Sequence, residues 1–204
     1  MNRSLIAPEA TTNAARARLA TAADVPSLSS TLASAFFDDP VFAWCYPDAH
    51  RRFEILPLWF EAVIRANLGH EEIHITGEVD AGAVWLPPNA AEDPDLAGTL
   101  GAISGEHAAR LFEAFDRMEQ AHPHEPHYYL FLLGARRERQ SCGLGSVLLS
   151  QVLAKCDRNG SAAYLEATSH HNVRLYRRHG FEIVGEIELP NGPSMWPMWR
   201  NPRD

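Results

Sequence analysis

Gln140-Ser141-Cys142-Gly143-Leu144-Gly145 is the stretch of this chain with the plainest chemical use. An apolar run, residues 128–133, precedes it, and an amphipathic segment, residues 146–156, follows. A strand, a glycine-bearing turn and a helix start together make an oxyanion site. The first turn of a helix leaves amide groups unpaired and carries partial positive charge. Glycines let the backbone approach an anion that a side chain would hold off. A phosphate is the expected ligand of such a turn.

Three further groups of residues could carry chemistry. Cys142 lies in the same turn, but no base partner is apparent in the sequence, so it is assigned no covalent role. His122, His124 and His127 invite a metal reading. Prolines between them break any regular face and no carboxylate stands at helical ligand spacing, so the expectation is a solvated loop and no metal. Residues 36–47, Phe-Phe-Asp-Asp-Pro-Val-Phe-Ala-Trp-Cys-Tyr-Pro, are aromatic, proline-bounded and periodic in neither sense. They read as a loop whose rings either pack on the core or wall an acceptor pocket.

The elements that must position these groups follow from periodicity and punctuation. Residues 16–21 read as a first strand. Thr21 and Asp24 have capping spacing, Pro26 suits an early helical position, and Val25, Leu28, Leu32 and Phe36 form one helical stripe. Residues 51–67 read as a second helix with Pro57 inside it. Residues 73–76 and 82–86 read as two strands joined around Asp80-Ala81-Gly82. Residues 96–120 are mostly helical, broken near Ser104-Gly105. Residues 128–134 form the strand before the glycine turn, and a helix runs over 141–156. A strand at 162–167 and a short helix at 172–179 follow, with Gly180 in the left-handed cap position. Residues 181–189 and 194–200 are the last strands, around a turn at 190–193.

Composition bounds the rest. The chain has 204 residues, 46% of them hydrophobic, enough for a core. Its formal charge of −8 argues against nucleic acid or an anionic membrane as partner. Three cysteines without metal or redox spacing fit a reducing, cytoplasmic setting. No apolar run reaches membrane-spanning length. Residues 1–14 read as a flexible tail and residues 15–204 as one α/β domain.

Gln140-x-x-Gly143-x-Gly145 at a strand-to-helix junction resembles the acyl-CoA signature of the GNAT N-acetyltransferase superfamily. Leu165-Glu166-Ala167-Thr168-Ser169, then Asn172, Leu175-Tyr176 and Gly180-Phe181, match the second half of that signature. The resemblance spans about residues 16–202. Within the superfamily the chain is most similar to the puromycin N-acetyltransferase type. That comparison rests on Arg18-Leu19-Ala20-Thr21 before Asp24-Val25-Pro26, on Ala83-Val84-Trp85, on Glu125-Pro126 and on Gly192-Pro193. Two positions depart from the family pattern. The usual Val-x-Pro before the turn is Ala135-Arg136-Arg137, and the glycine frequent after Gln140 is Ser141.

The resemblance implies a GNAT fold. Its mixed central sheet has about seven strands, helices on both faces, and central strands splayed at the acyl-CoA site. It implies direct transfer of acetyl from acetyl-CoA to an amine, with a small molecule, antibiotic-like in the analogy, as acceptor. The backbone of Ser141, Cys142, Gly143, Leu144, Gly145 and Ser146 would hold the pyrophosphate, with Gln140 and Arg139 beside it. Leu132, Leu133 and Gly134 would pair with the pantetheine arm, and Asn172 would hydrogen-bond that arm. Tyr176 would be the general acid. Glu166 is the first choice of base, or else a residue that shapes the pocket; His127 is the other candidate base. Arg136, Arg137 and Arg139 either contact the cofactor or stay solvated. The acceptor lining is expected from Phe37, Asp38, Phe42, Trp44, Tyr46, Trp85 and Tyr129, with Asp38 or Asp39 pairing with a cationic amine. A homodimer is compatible with the resemblance.

Two rivals differ in kind. A protein acetyltransferase would show an open groove where a small-molecule enzyme shows a closed, aromatic-lined pocket. A catalytically silent acyl-CoA sensor would bind cofactor without turnover.

Overall fold

A computed structural model describes residues 16–203. The expected tail at residues 1–14 lies outside them. Eight strands join one mixed sheet: β1 (Ala17–Leu19), β2 (Ile73–Thr76), β3 (Ala81–Leu86), β4 (His127–Ala135), β5 (Ala162–Ala167), β6 (Glu182–Ile183), β7 (Ile187–Glu188) and β8 (Ser194–Arg200). Their spatial order is β1-β2-β3-β4-β5-β8-β6, with β7 also pairing β8. Only β4 and β5 are parallel neighbours. Their connection is a helix, as a parallel crossover requires.

Among the described residues seven α-helices cover the sheet: α1 (Val25–Phe36), α2 (Pro40–Cys45), α3 (Ala49–Asn67), α4 (Leu96–Ser104), α5 (Ala108–Ala121), α6 (Leu144–Asn159) and α7 (His170–Arg178). On one face Leu28 and Leu32 of α1 and Trp59, Phe60 and Val63 of α3 pack on Ile73, Ile75 and Val84. On the other, Leu148, Leu149, Val152 and Cys156 of α6 pack on Ala83, Trp85, Ala163 and Leu165. Each such buried aliphatic side chain contributes about 1.5–3 kcal/mol.

Two features of β4 prepare a site. Val84 pairs with Leu132 but Trp85 pairs with Leu130, so Phe131 is the extra residue of a bulge. The bulge breaks the two-residue alternation. Leu130 joins the α6 side of the sheet and Leu132 the α3 side. β4 also leaves β5 early. The parallel register runs His127↔Ala162, Tyr128↔Ala163, Tyr129↔Tyr164 and stops there. Beyond Tyr129 the two strands part, and each keeps its other neighbour.

Several elements differ from the sequence reading. Residues 36–47 are not all loop: Asp39 caps α2, its Oδ1 accepting from the amides of Val41 at 2.9 Å and Phe42 at 3.2 Å, with Pro40 at the first position. The hairpin turn lies at 77–80, because Gly77 and Val79 take positive φ and Ala81 is already paired. α6 starts at Leu144, since Ser141 and Gly143 hold left-handed backbone before it. Residues 181–189 form two short strands on β8. Pro57 lies inside α3, as the sequence reading has it, and the helix begins two residues earlier, at Ala49.

Candidate active site

The parting of β4 and β5 opens a cavity of about 80 Å³. Leu130, Phe131, Leu132 and Leu133 supply one wall, Glu166 and Thr168 another, and Asn172 and Tyr176 of α7 a third. Asp39 and Phe42 close it from α2, and Trp59 from α3. The fold thus brings together five sequence-predicted residues from the second half of the chain, Leu132, Leu133, Glu166, Asn172 and Tyr176, with Phe42 and Asp39 from the first.

Tyr176 is 7% exposed and stacks edge-on against Phe181, with 6.1 Å between ring centres. Burial first, and then the nearby charge of Asp39, push its phenol well above the ordinary tyrosine value. It therefore stays protonated at any physiological pH. Asn172 gives its backbone amide to Ser169 Oγ at 3.2 Å; Ser169, not Asn172, caps α7, which leaves the Asn172 side chain on the cavity wall.

Glu166 is the buried carboxyl of the site, its side chain 3% exposed. Oε2 accepts from the hydroxyl of Tyr129 at 2.7 Å. Oε1 has no hydrogen-bond partner and lies 3.8 Å from Nδ1 of His122. A buried carboxyl oxygen without a donor is costly unless something else uses it.

The histidine segment is not the solvated loop expected. His127 is buried, His122 is half-buried, and their Nε2 atoms are 3.1 Å apart. His122 also meets the rings of Tyr129 and Tyr164 edge-on. Burial lowers the pKa of His127, against the pull of the Glu125 carbonyl. The aromatic residues at the ends of β4 and β5 draw the segment in, a pairing no local pattern shows. Among the described residues no group of three or more His, Cys, Asp or Glu could hold a metal ion.

The predicted acceptor lining divides. Phe42 reaches the cavity. Asp38 does not: it is 65% exposed and pairs with Arg137, while its neighbour Asp39 lines the cavity. Asp39 accepts from the Thr168 hydroxyl, and burial, opposed by that bond and by two amides, raises its pKa. Trp85 is fully buried on the α6 side of the sheet, because alternation along β3 points it away. Phe37 lies under the Arg52 guanidinium, Trp44 donates to the Pro190 carbonyl, and Tyr46 bonds to Ser104 inside the core. Tyr129 is at a second, wider groove described below. Thr168 is not expected at the site from the sequence, and Asp39 only as an alternative to Asp38; the signals that could have found them are the Asp39-Pro40 helix start and the Leu165-to-Ser169 run.

The glycine turn has the expected form. Gly143 has φ +81 and precedes the first amides of α6, which have no intrahelical acceptor. Ser141 takes φ +59, the conformation for which glycine is suited. Gly145 faces Leu133 and Leu175, so the turn sits at the mouth of the parted strands. The three arginines already have partners: Arg136 donates to Thr31 Oγ1, Arg137 pairs with Asp38, and Arg139 lies 3.2 Å from Asp80. Arg137 and Arg139 remain more than half exposed and so keep donors for an anion. An amide-lined turn, an unpaired strand edge and a buried phenol at the parted strands are groups that fit an acyl-CoA.

Known proteins resemble the chain in the same terms. The sequence pattern of the acetyltransferase (GNAT) family matches residues 41–181. An uncharacterized N-acetyltransferase of Schizosaccharomyces pombe is 26% identical over 196 residues, 87% of this chain and 78% of that one. A solved structure from Corynebacterium glutamicum, described as histone acetyltransferase HPA2 and related acetyltransferase, is 28% identical. It superposes with a TM-score of 0.71 over 93% of this chain and 97% of that one. Arylalkylamine N-acetyltransferase 2 of Aedes aegypti is 13% identical, with a TM-score of 0.67 over 94% and 100%, a likeness of fold. Among the described residues no helix is long and apolar enough to cross a membrane.

Proposed function

The chain belongs to the acetyltransferase (GNAT) family, and on that premise we propose that it moves acetyl from acetyl-CoA directly to the amine of a small molecule. One observation supports this most. The cavity at the parted strands is small, and it holds a neutral phenol and an unpaired carboxyl oxygen together.

Acetyl-CoA, when bound, supplies an acetyl group activated as a thioester. The amides from Ser141 to Ser146 would hold its diphosphate, with Gln140, Arg137 and Arg139 beside them. The free edge of Leu132 and Leu133 and the side chain of Asn172 would hold its arm. An alkyl ammonium has a pKa of about 10.4 and must lose a proton before it can attack. Glu166 Oε1 is the acceptor for that proton, with His122 beside it to pass the charge on. Tyr129 fixes the carboxylate by its bond to Oε2. Tyr176 keeps its proton on the phenol oxygen and suits the role of donor to the leaving thiolate.

The likeness to the puromycin type belongs to this reading as a statement of lineage, carried by Ala83-Val84-Trp85 and Glu125-Pro126. It names no acceptor. The reading is tested by incubating the protein with acetyl-labelled CoA and a panel of amines, puromycin and lysine peptides included, and finding the label by mass spectrometry. Label on a small amine supports it. Label only on peptides shifts it to protein acetylation. Acetyl-CoA binding with no label anywhere leaves a sensor.

A further inference from the structure

Beside the cavity lies a second, open groove of about 570 Å³. The two are lined in common by Phe115, Met118 and Phe131. The groove has an apolar floor from Leu96, Leu100 and these three. Along its rim stand Glu92, Asp93, Asp116, Glu119 and Glu125, and no lysine or arginine lines it. None of the five carboxyls is in an ion pair among the described residues. The third acidic side chain of α5 behaves differently from Asp116 and Glu119: Glu113 is paired with Arg117.

A ring of acids alone would signify a solvated face. A second observation points inward. His122 and Tyr129 line the groove, and behind them lies the unpartnered Oε1 of Glu166, 3.8 Å from His122 Nδ1. The buried carboxyl of Glu166 thus lines the cavity beside His122 of the groove, and the acidic side chains of the rim extend the negative charge outward.

We propose that the groove takes the distal part of a linear aliphatic diamine or polyamine, so that the acceptor is a dication. Its methylenes lie along the apolar floor, its far ammonium lies among Asp116, Glu119 and the rim carboxyls, and its near nitrogen enters the cavity. Charge spaced along a hydrocarbon chain is what an apolar floor with an acidic rim recognises. This deepens the reading of the protein as a small-amine acetyltransferase and rests on it.

The test compares 1,5-diaminopentane with 1-aminopentane, in the wild type and in Asp116→Asn/Glu119→Gln. These two side chains are exposed on α5, so the double variant keeps its core. Expected is a kcat/KM about tenfold higher for the diamine, shrinking as salt is added, and a ratio near one in the variant. Calorimetry of the diamine alone reads the groove without turnover. A wild-type ratio near one, or a ratio the variant does not move, overturns the proposal and leaves the small-amine reading standing. Preference for an aromatic monoamine or a lysine peptide overturns it as well. Diamine binding that the variant abolishes, with no transfer to any amine, keeps the groove and overturns the acetyltransferase reading instead.

Discussion

The hydroxyl of Tyr129 donates to Glu166 Oε2 at 2.7 Å, from the last rung that joins β4 to β5. One residue of the pair closes the parallel register and the other lies beyond it, where the strands have parted. The bond fixes one carboxyl oxygen and leaves the other, Oε1, free. Burial and the neighbouring Glu166 charge push the Tyr129 phenol up, so it remains a donor. The proposed base and the opening of the sheet are therefore one structural feature.

From this relationship, Glu166→Gln should keep the Tyr129 contact and the fold but lose the proton acceptor. We expect kcat/KM for an alkyl amine at pH 7 to fall by about 10²–10³. The deficit should narrow as pH rises toward the amine's own pKa of about 10.4, because the solvent then supplies the neutral amine. A pH–rate series of both proteins checks this. A constant deficit at all pH values would assign Glu166 to shape alone.

Gly134 pairs with Gly82 and faces α1, where a Cβ would come within 2.8 Å of Ala35 Cβ and 3.1 Å of Leu32 Cδ2. Gly134→Ala should cost about 1–3 kcal/mol, since the Ala35 Cβ is fixed to the α1 backbone and cannot step aside. Gly143→Ala meets no atom within 4 Å but forces φ +81 on an L-residue. It should cost about 1–2 kcal/mol and weaken acetyl-CoA binding. Urea titrations with and without acetyl-CoA separate the two effects.

Ser141 is the mirror case. It already bears φ +59, so Ser141→Gly should stabilise the protein by up to about 1 kcal/mol by relieving that strain. Thermal melting checks it. No gain would mean that the serine side chain repays its conformation by contacts in the turn.

Stability should also depend on the two histidines whose pKa values burial lowers, His127 and His179. Each has a folded-state pKa below its unfolded value near 6.5, so the unfolded chain binds the proton more readily. Their contribution is complete above about pH 7 and is lost as pH falls through that value. The melting temperature should drop between about pH 7 and 5, and His127→Gln should flatten the drop. An unchanged profile in that variant would remove His127 from the account.

Much of this site is legible in the chain because it is local. Gly143 and Gly145 follow a strand and open a helix, and Asn172 and Tyr176 lie one turn apart on α7, so spacing alone puts each pair together. The cap of α2 escaped for a related reason: Asp39-Pro40 is a helix start, but the six-residue helix is too short to show a period. Asp38 and Asp39 are adjacent, and only the cap decides which turns inward. Trp85 needed the register of β3, and the histidines needed an aromatic partner, Tyr164, that lies 42 residues from His122 and 37 from His127. The bulge at Phe131 is set by pairing between strands and leaves no local mark.

The most direct measurement is thiol release from acetyl-CoA with a small amine, in the wild type and in Tyr176→Phe. Amine-dependent release is expected in the wild type. In the variant kcat should be lower by about 10²–10⁴, with acetyl-CoA affinity unchanged. Equal kcat in the two proteins would contradict it, since the neutral phenol at the parting of β4 and β5 would then carry no proton in the reaction.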